Sequence, residues 1–95
     1  MPTATKPKRR RVKFTIEGRE ESCVFVVGSF NDWKTAETPM QQNPDNLTWS
    51  VTLDLEAGRA HEFRYLVDGT EWRNDWHADT YVDNAFGSEN SVIAL

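Results

Sequence analysis

Residues Leu47 to Leu55 alternate strictly, with Trp49, Val51, Leu53 and Leu55 apolar and Thr48, Ser50, Thr52 and Asp54 polar. A period of two sends successive side chains to opposite faces of an extended chain, so this segment predicts a strand with one buried and one wet face. Trp49 is thereby assigned to the core. The alternation recurs at Val12, Phe14 and Ile16, whose charged neighbours suit a sheet edge. It returns over Ala60 to Asp68, placing Phe63, Tyr65 and Val67 inward and Glu62, Arg64 and Leu66 outward. Cys23 to Val27 is a continuous apolar run, as in a strand covered on both faces. Gly28 to Trp33 then forms a structured loop, with Gly28 supplying unusual dihedrals and Ser29, Asn31 and Asp32 bonding to nearby backbone. Asp68-Gly69 readily reaches positive φ and closes a hairpin onto the short strand Glu71 to Arg73. Asn74 to Asn84 reads as polar and irregular, and Ser91 to Leu95 as a last apolar strand. No segment has a convincing helical period. The expected fold is all-β, a β-sandwich of about seven to eight mostly antiparallel strands.

A chain of 95 residues holds one domain. Val, Ile, Leu and Phe make up only about a fifth of it, so four Trp, five Phe and two Tyr must supply much of the buried surface. Charge is uneven. The first thirteen residues carry six basic side chains and no acid, whereas the remainder holds all fifteen acids against five bases. Residues 1–11 are read as a disordered basic tail and 12–95 as a single sandwich. Pro7-Lys8-Arg9-Arg10-Arg11-Val12 also looks like a short nuclear-import signal. An acidic body repels phosphate, so nucleic-acid contact would run through the tail alone. The single cysteine, Cys23, cannot form an internal disulfide, and no apolar leader or membrane-length run is present, which together point to a reducing cytoplasm.

Catalysis is not expected. Glycoside hydrolysis needs two facing carboxylates about 5 to 9.5 Å apart, one held protonated, and the acids here cluster in turns. Neither His61 nor His77 sits in a triad signature. Asp75, Asp79 and Asp83 lack the dense spacing of a calcium loop, so neither metal nor cofactor is assigned. Carbohydrate binding fits better. A pyranose has an apolar C–H face and a rim of hydroxyls, which call for flat exposed aromatics beside planar hydrogen-bonding groups. Trp33 and Trp72 occupy polar, turn-adjacent positions, and Arg64 points outward with a guanidinium fork that bonds two oxygens at once. The alternative use of such aromatics is to cap the core, and this is the reading for Trp76.

Val26-Val27-Gly28-Ser29-Phe30-Asn31-Asp32-Trp33 resembles the opening motif of the family 48 carbohydrate-binding modules. These include the glycogen-binding domain of the AMP-activated kinase β subunit and the N-terminal sandwich of isoamylases and branching enzymes. The likeness continues through Trp49 to Gly58, Glu62 to Gly69, Asn74-Asp75 and Gly87 to Val92, covering about residues 12 to 95. It implies an immunoglobulin-like sandwich of early-set type that binds α-1,4-glucan without chemistry. By resemblance Trp33 and Trp72 stack on the glucan, Arg64 stands where the family has lysine, and Asn90 matches a loop asparagine. Ser88 replaces a threonine, and Phe86 corresponds to a protruding leucine. The rival expectation is a protein-interaction module that has lost sugar binding and docks a kinase or glucan-processing enzyme in trans, since exposed Trp and Arg also mark interface hot spots.

Overall fold

The alternating segments become eight strands in the computed structural model, which describes residues 8–95. They are β1 (Arg9–Ile16), β2 (Val24–Gly28), β3 (Gln41–Gln42), β4 (Trp49–Glu56), β5 (Ala60–Val67), β6 (Glu71–Arg73), β7 (Thr80–Asp83) and β8 (Glu89–Ala94), with one 3-10 turn at Ser29–Asn31. A three-stranded sheet has the order β1-β4-β3 and a five-stranded sheet the order β2-β5-β8-β7, with β6 also paired to β5. Every pairing is antiparallel. Phe14, Trp49 and Leu55 of the first sheet bury together with Val24, Val26, Phe63, Tyr65 and Val67 of the second, which makes the pair a β-sandwich. The aromatics do replace missing aliphatics. Phe14 meets Phe63 edge-on with centroids 4.9 Å apart, and Phe63 meets Tyr65 likewise at 5.7 Å. Each such contact contributes about 0.5–1.5 kcal/mol beyond the area it buries. No helix among the described residues is long and apolar enough to cross a membrane.

One edge of β5 pairs with β2, from Val24 opposite Val67 to Gly28 opposite Phe63. The other edge is shared end to end, because Ala60 to Phe63 pair with β8 and Tyr65 to Val67 with β6. Arg64 lies at the seam between them. Side chains close that seam where the backbone ladder stops. Asn74 Nδ2 donates to the Glu89 carbonyl at 2.9 Å, Ser91 Oγ donates to Asn74 Oδ1 at 2.9 Å, and the Asp75 amide donates to Ser91 Oγ at 2.9 Å. From the core side the Tyr65 hydroxyl donates to Asp75 Oδ2 at 2.7 Å. Burial first, and then the bond to Asp75 and its charge, raise the phenol far above its ordinary pKa, so it stays a donor.

Several expectations are corrected. β1 starts at Arg9 and not at Val12, because the ladder continues through Arg9 opposite Glu56, Arg10 opposite Leu55 and Arg11 opposite Asp54. Three arginines in a row hide the alternation, yet Arg9 donates to the Asp54 carbonyl at 3.4 Å and Arg11 lies 3.9 Å from the Asp54 carboxylate. Arg9 to Arg11 therefore belong to the sheet, while residues 1–7 of the basic tail lie outside the described residues. Thr80–Asp83 is a strand within the stretch read as irregular, exposed at all four positions and so carrying no burial signature. Leu66 is 6% exposed despite its outward parity, because Trp72 pairs directly across from it. Gly28 is extended, and its need for glycine is steric: a Cβ there would lie 2.4 Å from the Glu62 carbonyl oxygen and 2.9 Å from Phe63 Cβ. By contrast, Asp68 and Gly69 take φ of 52° and 74°, as the hairpin reading requires.

Two stability outcomes follow from this packing. Gly28→Ala should lower the unfolding free energy by about 2–3 kcal/mol in urea titrations, since the clash is with the Glu62 backbone and the Cβ of buried Phe63 on a packed strand. Asp75→Ala, which strips the Tyr65 hydroxyl of its short acceptor, should lower it by about 2–3 kcal/mol as well. Unchanged midpoints would contradict the packing at Gly28 and the seam respectively.

Candidate functional site

By strand parity, the face of the larger sheet turned away from the core carries Phe25 and Val27 of β2, Glu62, Arg64 and Leu66 of β5, Trp72 of β6 and Asn90 and Val92 of β8. The register sets Trp72 across from Leu66, one step along the face from Arg64. The guanidinium carbon of Arg64 lies 5.7 Å from the Trp72 ring centroid, within cation–π range. Arg64 is thus held between the seam strands on one side and Val27, its partner in β2, on the other.

Trp33 arrives from the β2 side. The 3-10 turn after β2 ends in two left-handed residues, Asp32 at φ 57° and Trp33 at φ 59°. The Trp33 amide donates back to the Gly28 carbonyl at 2.9 Å, which folds the loop over the end of the strand. Asn31 holds this conformation from beneath. Its Oδ1 accepts from the Gly28 amide at 3.0 Å, and its Nδ2 donates to the Val26 carbonyl and to Thr38 Oγ1, both at 3.1 Å. Non-glycine residues at positive φ cost free energy and persist where surrounding bonds over-determine them.

These elements enclose a trough of about 620 Å³ lined by Trp33, Glu62, Arg64, Trp72, Asn84, Ala85, Phe86 and Asn90. Five of the six residues singled out from the sequence share it: Trp33, Arg64, Trp72, Phe86 and Asn90. Trp33 and Trp72 are 39% and 41% exposed, and Phe86 stands almost free at 93%. Ser88 is not among the lining residues; its amide donates to Asn84 Oδ1 at 3.2 Å, beside the Phe86 amide bonded to the same oxygen at 2.9 Å. Asn90 is buried and half committed. Its Oδ1 accepts from Asn84 Nδ2 at 3.1 Å and its Nδ2 donates to Glu62 Oε1 at 3.2 Å, leaving one lone pair and one N–H for a ligand.

Glu62 and Asn84 were missed in the sequence. Glu62 shares the parity of Arg64 two positions away, a signal that was present, whereas Asn84 enters through a loop whose shape no periodicity encodes. Trp76 needs correcting: it caps nothing and is 91% exposed. The three loop aspartates have separate surroundings, with Asp75 bonded to Tyr65, Asp79 Oδ2 accepting from the Ala94 amide at 2.8 Å, and Asp83 on β7.

The family described as the glycogen recognition site of AMP-activated protein kinase matches residues 9–95. The chain is 30% identical over 83 residues to the 5'-AMP-activated protein kinase subunit beta-1 of Rattus norvegicus, covering 87% of this chain and 27% of that one. It is 34% identical over 77 residues to subunit beta-2 of Homo sapiens, covering 81% and 25%. A shorter match, 33% over 58 residues, is to the 1,4-alpha-glucan branching enzyme GlgB of Novosphingobium aromaticivorans, covering 60% and 8%. The chain spans about a quarter of the length of the kinase subunits.

Since Asn31 carries three bonds beneath the Trp33 loop, Asn31→Ala should cost about 2–3 kcal/mol in chemical denaturation, and Thr38→Val, which removes one of them, about 1 kcal/mol. Equal losses for both variants would contradict a role for Asn31 as the loop's main tie.

Proposed function

The chain belongs to the family of glycogen recognition sites of AMP-activated protein kinase, and from this premise we propose that its trough binds an α-1,4-glucan chain by stacking and hydroxyl bonding. The observation that carries the reading is the meeting of two half-exposed indoles and a guanidinium in one open trough. Trp33 and Trp72 receive the apolar faces of successive glucose units. Arg64, already braced on the Trp72 ring, directs its fork at ring and hydroxyl oxygens, and Asn90 offers its remaining N–H and lone pair. Phe86 at the loop tip closes over a bound residue, and Ser88 acts through the loop that Asn84 ties down.

The family is one of non-catalytic carbohydrate-binding modules, and Glu62, the single carboxylate lining the trough, is engaged with Asn90. We place the module in a reducing cytoplasm, with residues 12–95 as the sandwich together with the arginines that β1 adds. A glucan-processing enzyme or kinase in trans is its natural protein partner, by analogy with the named relatives. Affinity for one short glucan is modest, because an open site buries little and ordering a flexible chain is unfavourable. Many repeats on one polymer raise it by avidity.

Titration with maltoheptaose should produce a saturable change in tryptophan fluorescence. Trp33→Ala and Trp72→Ala should each weaken binding about tenfold or more, equivalent to about 1.4 kcal/mol, with little loss of fold. A parent protein that gives no saturable response would reject the assignment.

A further inference from the structure

β6 and β8 each present alternate side chains to both faces of the sheet, so that Trp72 and Asn90 look to the trough above while Arg73 and Glu89 look to the opposite face. On that opposite face, Arg73, Asn74, Asp75, Trp76, Tyr81 and Glu89 line a second trough of about 380 Å³. Tyr81 pairs with Ser91 across β7 and β8, on the side that faces the core further along the strand, yet it is 40% exposed. Trp76 is 91% exposed and lies against no part of the core cluster. From this juxtaposition we propose a second glucan-binding site, built around Trp76 and Tyr81 on the face opposite the first; its choice of ligand rests on the reading of the first.

The chemistry favours a neutral, hydroxyl-rich ligand. Two aromatic rings stand among planar polar groups, the combination a pyranose needs. The charges nearby are largely answered within the protein. Arg73 makes two bonds to the Glu71 carboxylate, at 3.0 and 3.1 Å, and this pairing holds the Glu71 carboxyl below its usual range. Asp75 spends one oxygen on Tyr65 and the other on the His77 amide at 2.8 Å. Of the lining charges the exposed Glu89 carboxylate alone has no side-chain partner, which disfavours an anion, whereas hydroxyls can donate to its oxygens and use the lone pairs and N–H groups left over. Part of the platform is also fixed beforehand. The Tyr81 hydroxyl donates to the Asp75 carbonyl, which braces that ring, and Asp75, bonded to Tyr65 and Ser91, fixes the backbone from which the neighbouring Trp76 projects. Binding then has to order the Trp76 ring but not the backbone or Tyr81 beside it.

Two sites on opposite faces would let one module bridge two glucan chains, a geometry that multiplies avidity on a branched particle. The test is a maltoheptaose titration of the full chain followed by the indole N–H resonances of its four tryptophans, with Trp76 assigned by the peak lost in Trp76→Ala. The Trp76 peak should shift saturably, and should still do so in the Trp33→Ala/Trp72→Ala double variant. Stoichiometry should fall from about two to about one in Trp76→Ala, with loss of glycogen cross-linking as followed by turbidity. Shifts at Trp33 and Trp72 with a silent Trp76 would overturn the second site and leave the first standing. A Trp76 shift alone would uphold the second and overturn the first. No shift at any indole would overturn both, and a Trp76 shift that tracks protein concentration without sugar would replace the glucan by a second copy of this chain.

Discussion

β5 has two edges but three neighbours, and the end-to-end sharing of one edge by β6 and β8 organises the rest of the molecule. A continuous strand along that edge would have offered a uniform surface. Instead the chain leaves the sheet after Arg73, re-enters it as β7 at Thr80 and leaves it again between Asp83 and Glu89, and these two excursions supply the loops that carry Trp76 and Phe86. Because side chains alternate along every strand, the residues nearest the seam divide cleanly. Phe63 and Tyr65 go to the core, while Arg64 between them goes to the trough, with Trp72 from one flanking strand and Asn90 from the other on the same face.

A break in a hydrogen-bond ladder exposes backbone and side-chain groups that must find partners if they are buried. Here Asn74, Asp75 and Ser91 take that role, and the Tyr65 hydroxyl ties them to the core. The acceptor is a carboxylate, and hydrogen bonds to charged acceptors are shorter and stronger than neutral ones. That one bond links a fully buried core residue to the loop that carries Trp76, so the stability of the sandwich and the position of that loop depend on the same atoms.

What the sequence disclosed tracks what the residues bury. Trp49 to Leu55 and Phe63 to Val67 were legible because a period of two is the imprint of a half-buried strand. Gln41–Gln42 and Thr80–Asp83 bury little, so they became strands through pairing alone and left no imprint. Periodicity also reports the side to which a residue points but not what covers it, which is why Leu66 was expected outside, and Trp76, in a stretch without periodicity, was expected to cap the core. At the site, parity announced Arg64 and would have announced Glu62. The meeting of Trp33 and Phe86 with these residues depends on loop dihedrals and on the ties made by Asn31 and Asn84, which follow from three-dimensional partners. The motif resemblance supplied what the physics of spacing could not.

For Trp33 and Trp72 the sequence left two uses open, capping apolar surface or offering a flat platform, and on Trp72's face the structure joins them. Val27, Leu66 and Val92 are buried on the trough's face, although no second sheet lies over them and they stand outside the main cluster. Arg64 is the cross-strand partner of Val27 and Trp72 that of Leu66, so a long side chain and an indole take the place of a covering layer. An indole that seals aliphatic surface with one part and leaves about two-fifths of itself to solvent is fixed in orientation without being consumed. Were it fully buried it could not stack on a ligand, and were it fully free its ordering would subtract from affinity. Partial exposure is therefore the condition under which a thin core and a binding surface can be made from the same few aromatic residues.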